Sequence, residues 1–369
     1  MVSLNSFMRL FFALALIFFV IQCSQESSSS ESLSLIFQET LQLGTDDDEA
    51  PAHEIFRMVS HVEVDNRGWL YVVDTGETSV HIYDDKGEYQ KSFGKRGSGP
   101  GEFEFIISLF IDSNNRLLVI DSNNARITAF TLNGELISTY SLPSITVVHQ
   151  ISELADGRFV LVGQHRDRLV HVVDSSFSRI ESSFVHIDDL LKTNAREERV
   201  FLQFVLPGSV LVLPDNSILY SSTLYDGELL VYEVNDQGDW NLTRTFEGQS
   251  RHRIPASITP EEQAIRADFP LTLAGEGRYA IQFHSLSQKA FLYNDSILIH
   301  FSIQETNDDE LELLSEQFTI DGKLLGTSSI DTLTAQEISV LNLDANGNLY
   351  LSDRRDFPKL RRLSMMESE

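Results

Sequence analysis

The sequence predicts an all-β fold. Three observations carry that prediction: a strand–turn–strand unit that recurs along the chain, turn-forming residues at matching places in the copies, and no segment of comparable length with strong amphipathic-helix periodicity. With 369 residues, 42% of them hydrophobic, the chain can bury a substantial core.

Repetition is clearest between "VEVDNRGWLYVVD" (Val62 to Asp74) and "LFIDSNNRLLVID" (Leu109 to Asp121). Each reads as an apolar strand, a polar turn and a second strand ending on aspartate. Looser copies begin at Ile151, Val210, Gln288 and Leu341. Their turns fall at Gly68, Asn115, Gly157, Asn216, Asp295 and Gly347. Gly, Asn and Asp are the residues that tolerate the positive φ of tight hairpins. After Asp74 and Asp121 come "TGETSVHIYDDKGEYQKSFG" and "SNNARITAFTLNGELISTY", each a polar loop, a third strand, a turn and a fourth strand. Four antiparallel strands repeating every ~40–50 residues make a propeller blade. Six copies predict a six-bladed β-propeller with four-stranded antiparallel blades, over residues 33–365.

The sixth unit, from Glu337, has room for only three strands before Leu363. "LSLIFQETLQL" (Leu33 to Leu43) alternates and has no blade of its own, so residues 33–43 are expected to supply the missing outer strand and close the ring.

The glycine-rich "FGKRGSGPGEFEF" (Phe93 to Phe105) follows a fourth strand and precedes the next first strand. A phosphate loop instead opens a helix, and no Lys-Ser or Lys-Thr follows the last glycine. The stretch reads as an inter-blade connector.

The same residues carry a family resemblance. Phe93-Gly94, then Gly97, Gly99, Pro100, Gly101 and Phe103, then Asp112, Asp121, Asn124, Arg126 and Ile127 resemble an NHL repeat. The match is strong over Val62 to Tyr140 and fades through blades three to five. The chain as a whole resembles the NHL-like six-bladed propeller lipoproteins of Bacteroidota-type bacteria. The resemblance implies fold and location more than chemistry.

The first residues read as an address. Arg9 is the only charge before Glu26, and Leu10 to Ile21 is unbroken apolar sequence. Twelve helical residues span about 18 Å, short of a ~30 Å bilayer core. Residues 1–22 are therefore read as a signal peptide. Cys23, the only cysteine, ends the run "FVIQC", which resembles a lipobox with Val20 in its apolar position and Gln22 departing from the usual small residue. Residues 23–32 become a lipidated cysteine and polar tether. A lipid anchor would then hold the protein at the bacterial cell envelope, on the outer membrane.

Asp and Glu number 55 against 28 Lys and Arg, a net charge of −27, which disfavours nucleic-acid binding. The acidic "TDDDEAP" (Thr45 to Pro51) lacks EF-hand spacing and reads as solvated linker, and "DANGN" (Asp344 to Asn348) as a hairpin turn. Asp74, Asp121 and Asp353 recur at one place in their blades, which points to a structural task done once per blade, accepting backbone N–H bonds from the following loop.

Two clusters are the candidates for function. First-strand positions His61, Glu63, Ser108, His149, Ser152, Glu153, His284 and Glu337 can face the channel. The resemblance to NHL-type lyases and six-bladed lactonases implies a metal there. His61 and His149 are the candidate ligands, and zinc or calcium would suit, though no spacing motif calls for a cofactor. Loop cations Lys95, Arg96, Arg126, Arg166, Arg168, Arg354 and Arg355, with Arg251 to Arg253 in a long connector, could focus an anion at one mouth. Two long connectors, His186 to Gly208 and Gly248 to Gly277, could cap that face. No G-x-S-x-G is present, and a Ser-His-acid set cannot be read from spacing. The expected role is a monomeric binding or scaffolding propeller for an anionic small molecule, a glycan or an envelope protein. The alternative is a metal-dependent hydrolase or lyase at the channel mouth.

Overall fold

All six turn residues singled out by the repeat have positive φ: Gly68 at 81°, Asn115 at 56°, Gly157 at 82°, Asn216 at 66°, Asp295 at 52° and Gly347 at 78°. In three of these turns the preceding aspartate ends the first strand and locks the turn. Asp65 Oδ1 accepts the N–H groups of Arg67 (2.9 Å) and Trp69 (3.1 Å). Asp112 does the same for Asn114 and Arg116, and Asp344 for Asn346 and Asn348.

The structure, a computed structural model, describes residues 34–190, 207–249, 271–274, 278–281, 285–305, 311–333 and 337–366. Six four-stranded antiparallel sheets account for nearly all of it. Blade 1 is β2 (Val59–Val64), β3 (Leu70–Asp74), β4 (Ser79–Tyr83) and β5 (Tyr89–Phe93). Blade 2 is β6 (Ile106–Ile111), β7 (Arg116–Asp121), β8 (Arg126–Thr131) and β9 (Leu136–Ser141). Blade 3 is β10 (Thr146–Glu153), β11 (Phe159–His165), β12 (Arg168–Val173) and β13 (Ile180–His186). Blade 4 is β14 (Ser209–Val212), β15 (Ile218–Ser221), β16 (Glu228–Val234) and β17 (Trp240–Glu247). Blade 5 is β20 (Ser285–Tyr293), β21 (Ile297–Glu305), β22 (Leu311–Thr319) and β23 (Leu324–Leu333).

Blade 6 takes β24 (Ile338–Leu343), β25 (Asn348–Asp353) and β26 (Lys359–Met366) from the C-terminal end and β1 (Ile36–Leu43) from the other. Strand β1 pairs antiparallel with β26 from Ile36↔Met366 to Leu43↔Leu360, so the outermost ladder of the last blade is made by the earliest strand. The backbone N–H of Leu35 also donates to Ser328 Oγ (2.6 Å), tying that strand to blade 5. A hairpin outside the blades pairs β18 (Leu271–Ala274), inside the long connector expected at Gly248 to Gly277, with β19 (Arg278–Ile281), just after it.

First strands touch in the order β2, β6, β10, β14, β20, β24 and back to β2, which closes the ring around a central channel. Apolar side chains fill the wedges between neighbouring blades. Tyr71 and Val80 meet Phe103 and Leu117 between blades 1 and 2. Val160 and Phe184 meet Ile218 and Trp240 between blades 3 and 4. Amides stitch the inner strands together. Gln150 exchanges two hydrogen bonds with the backbone of Val210 (2.8 and 2.9 Å), and Asn342 Nδ2 donates to Val62 O (3.1 Å).

The glycine-rich stretch runs from blade 1 to blade 2. Phe103 N donates to Lys95 O (2.8 Å) and Gly97 N to Phe103 O (3.0 Å), and the Phe103 ring is fully buried. Gly94, at φ 90°, packs so closely on that ring that a Cβ would lie 2.8 Å from it. No helix follows; the next element is β6.

Candidate functional site in the central channel

Four titratable side chains lie on first strands of alternate blades: His61 and Glu63 on β2, His149 on β10 and Lys289 on β20. Blades 1, 3 and 5 are not neighbours. Yet Lys289 and His149 both act on His61, and Lys289 acts on Glu63. Residues of non-adjacent blades can feel one another only across the axis, so these side chains face the channel. Each keeps part of its surface exposed, as channel lining does, although the ring surrounds it.

That enclosure sets the protonation states. Burial, with Lys289 and His149 adding to it, pushes His61 down to about 3, and burial pushes His149 down to about 4. Both imidazoles are therefore neutral at pH 7. Burial raises the Glu63 carboxyl, and the Lys289 ammonium opposes that rise. Burial lowers Lys289, and Glu63 opposes that in turn. Lys289 Nζ donates to Leu341 O (2.9 Å) on blade 6. The channel thus offers a cation, a carboxyl group and two neutral imidazoles within one enclosure.

The other first-strand candidates separate from this group. Glu153 accepts from Ser113 N (2.6 Å) and Ser113 Oγ (2.8 Å), so it ties blade 3 to the turn of blade 2. Ser108 is buried on β6, and Ser152 is half-buried on β10. The Glu337 carbonyl accepts Arg354 N (2.8 Å) just before β24. His284, Cys23 and Arg251 to Arg253 lie outside the described residues. Among the described residues, no three His, Cys, Asp or Glu side chains are grouped closely enough to hold a metal ion.

Several of the loop arginines are engaged by their own chain. Arg126 donates to the carbonyls of Ser98 (2.9 Å), Gly99 (3.1 Å) and Glu102, and lies 3.7 Å from the Asp121 carboxylate, so it clamps the glycine-rich connector. Arg355 is held by Asp353 (2.7 Å) and Arg168 by Asp167 (2.9 Å). Arg96, Arg166 and Arg354 are exposed, Arg166 at a turn with φ 56°.

The recurrent aspartates are fully buried fasteners. Asp74 accepts the N–H groups of Arg57 (2.8 Å), Met58 (2.9 Å) and Gly76 (3.0 Å). Asp121 accepts those of Glu104 and Phe105, both at 3.1 Å, and the Asn124 amide at 2.6 Å. Asp74 and Asp121 each pin the end of a second strand to the segment that leads into the first strand of the same blade, while Asp353 accepts Arg355 N (3.0 Å). The sequence expectation named the following loop; the preceding segment is the larger part of the task.

Lys289 went unnoticed at the sequence level. Its signal is a lysine inside "QKAFLYND", a first-strand segment, with the register shift between Ser287 and Lys289 deciding which way it points.

Among solved structures, an exported protein of Bacteroides fragilis is 13% identical, spans 93% of this chain and 98% of its own, and superposes with a TM-score of 0.55. A DUF4221 family member from Bacteroides vulgatus is 11% identical over 91% of this chain and all (100%) of its own, with a TM-score of 0.54. The Pan2 WD40 domain of Neurospora crassa, 8% identical over 90% and 96%, reaches 0.50. At such identities the likeness extends to the fold alone. The family profile DUF5128, 6-bladed beta-propeller, matches residues 19–295, three quarters of the chain, and together with the six closed blades this places the protein in that family.

Proposed function

We propose that the protein is an envelope-anchored binding propeller whose ligand, a sugar bearing a carboxylate, sits in the central channel. The observation that carries this reading is the convergence of Lys289, Glu63, His61 and His149 from three non-adjacent blades. A lysine beside a carboxyl group and two neutral imidazoles offers a cation for a carboxylate and both donors and acceptors for hydroxyls. The arginine-bearing face supports the reading less well, because Arg126, Arg168 and Arg355 already hold carboxylates or carbonyls of their own chain. Anchoring rests on the Leu10 to Ile21 signal run and Cys23. Among the described residues no helix is long and apolar enough to cross a membrane.

Calorimetric titration of the full-length protein with galacturonate and with galactose tests this. Binding of galacturonate that is at least tenfold tighter than that of galactose, with the difference lost in Lys289→Met, is the expected result. Equal or absent binding of both sugars, or a Lys289→Met protein that keeps the preference, overturns it.

A further inference from the structure

The wedge between blades 4 and 5 is not apolar throughout. At one end Leu219, Phe246, Leu298 and Phe318 pack as in the other wedges. At the other lies a chain of hydrogen bonds among buried polar side chains. Ser287 Oγ on β20 is 2.9 Å from His300 Nε2 on β21, and His300 Nδ1 is 3.0 Å from Glu316 Oε2 on β22. The three residues sit on three successive strands, with His300 and Glu316 directly opposite in the ladder. His300 is 0% and Glu316 1% exposed, while Ser287 retains 7%.

The carboxylate is fixed on both oxygens. Tyr225 Oη donates to Oε2 beside His300, and Gln249 N donates to Oε1. Burial works to raise this carboxyl, but the bonds from His300, Tyr225 and Gln249 outweigh it and hold Glu316 below its usual range. An ionised carboxylate only accepts, so His300 donates from Nδ1, which turns the lone pair of Nε2 toward Ser287. A second hydroxyl, Ser221 Oγ of blade 4, reaches Ser287 Oγ and lies 3.3 Å from His300 Nε2, but it is 0% exposed. Ser285 Oγ, two residues earlier on β20 and buried, has no hydrogen-bond partner among the described residues.

The buried His171 also meets a hydroxyl, Ser183 Oγ at 2.8 Å, but its other nitrogen faces the Gly163 carbonyl at 2.9 Å. The chain through His300 instead lines up a hydroxyl, an imidazole and a carboxylate in the order and at the spacings of a nucleophile, its base and the group that orients the base.

We infer that Ser287 is an activated nucleophile, with His300 as its base and Glu316 as the positioning carboxylate, directed at carboxylic esters. Ser287 Oγ attacks the ester carbonyl carbon while its proton passes to His300 Nε2. The carbonyl oxygen takes the electron pair, and the Ser221 hydroxyl, which reaches Ser287 Oγ, can donate to it. The carbon–oxygen bond to the leaving alkoxide then breaks, and that alkoxide takes the proton from His300. Water, deprotonated by His300, attacks the acyl-serine, releasing the carboxylic acid and returning the proton to Ser287. The activity stands apart from the channel ligand, because no channel residue takes part.

The test is incubation of the full-length protein with a fluorophosphonate probe, followed by peptide mass spectrometry and by turnover of p-nitrophenyl acetate. One adduct per chain on Ser287, with ester turnover lost on labelling, is expected. His300→Gln should lower the labelling rate at least 100-fold, while Glu316→Gln should lower it and move its pH profile. Because the mapping is done on the unmodified protein, no variant needs to fold for the test to count. Absence of a Ser287 adduct at millimolar probe, or an adduct on Ser221 instead, overturns the assignment, and the network is then only a tie between blades 4 and 5.

Discussion

Arg361 Nε and Glu39 Oε2, 322 residues apart in sequence, meet at 2.6 Å across the ladder that joins β26 to β1. Arg361 also reaches Asp353 Oδ2 at 3.2 Å, so one guanidinium links the latch strand to the buried aspartate of its blade. Closure of the ring is thus covalently discontinuous but bonded through eight residues of strand, Ile36–Leu43.

Deleting residues 34–43 should therefore unfasten the whole ring. Strand β26 would become an exposed edge with unpaired N–H and C=O groups, and Leu41 and Leu43 would leave the apolar cluster around Tyr83 and Tyr350. The expected outcome is a large fall in melting temperature together with aggregation, read by scanning calorimetry and light scattering. Glu39→Lys alone should cost only about 1 kcal/mol, because Glu39 is partly exposed and such pairs are screened. A truncated chain that melts like the full one would show that the ring does not depend on this strand.

Removing an aspartate fastener should cost more than removing that surface pair. Asp121→Ala leaves the N–H groups of Glu104 and Phe105 and the Arg126 guanidinium without their carboxylate, at about 3 kcal/mol by the usual cost of unmade bonds to a charged group. Asp121→Asn keeps one acceptor and should recover part of it. Urea midpoints at constant slope would check this. A midpoint shift in Asp121→Ala no larger than in Glu39→Lys would contradict the fastening role.

Much of this was legible beforehand because it is local. The six turn residues needed only their identity, and the buried aspartates needed only their recurrence. The connector needed only its place between two strands. The channel and the blade 4–5 wedge are different in kind. Lys289 and His300 both stand in the copy that begins at Gln288, "QKAFLYNDSILIH", but the register shift after Ser287 and the pairing of His300 with Glu316 set their surroundings. Neither follows from spacing along one strand. The partners of two loop arginines stand closer in the sequence: Asp353 lies two residues before Arg355 and Asp167 one before Arg168, near enough for each guanidinium to be engaged at home.

The channel histidines give the protein an acid limit whose sign follows from their environment. Folded His61, at about 3, and His149, at about 4, both lie below the unfolded value of 6.5. As pH falls the unfolded chain takes up these protons first. The stability they contribute is complete above about pH 6.5 and is lost as pH falls towards the folded values. Carboxylates elsewhere also weaken the fold in acid, so the informative quantity is a difference. Between pH 7 and pH 4.5 the urea midpoint of His61→Gln should fall less than that of the unmodified protein. Equal falls would mean that His61 is not desolvated in the channel.

Lys289 and Glu63 can be separated by titration. The ammonium lowers the Glu63 carboxyl, while burial raises it. Lys289→Met keeps the bulk of the side chain and removes the charge, so it should raise the Glu63 carboxyl further and leave it protonated at pH 7. Carboxyl carbon NMR of protein labelled at glutamate would follow this directly. Removing one member of an enclosed pair usually costs several kcal/mol because a charge is stranded. Here Glu63 can take up a proton instead, and the Leu341 carbonyl loses a single donor, so the stability loss at pH 7 should stay near 1–2 kcal/mol. It should grow as pH rises, since the unfolded glutamate is ionised while the folded one is held neutral. An unmoved Glu63 titration in Lys289→Met would show that the two groups do not face each other across the channel.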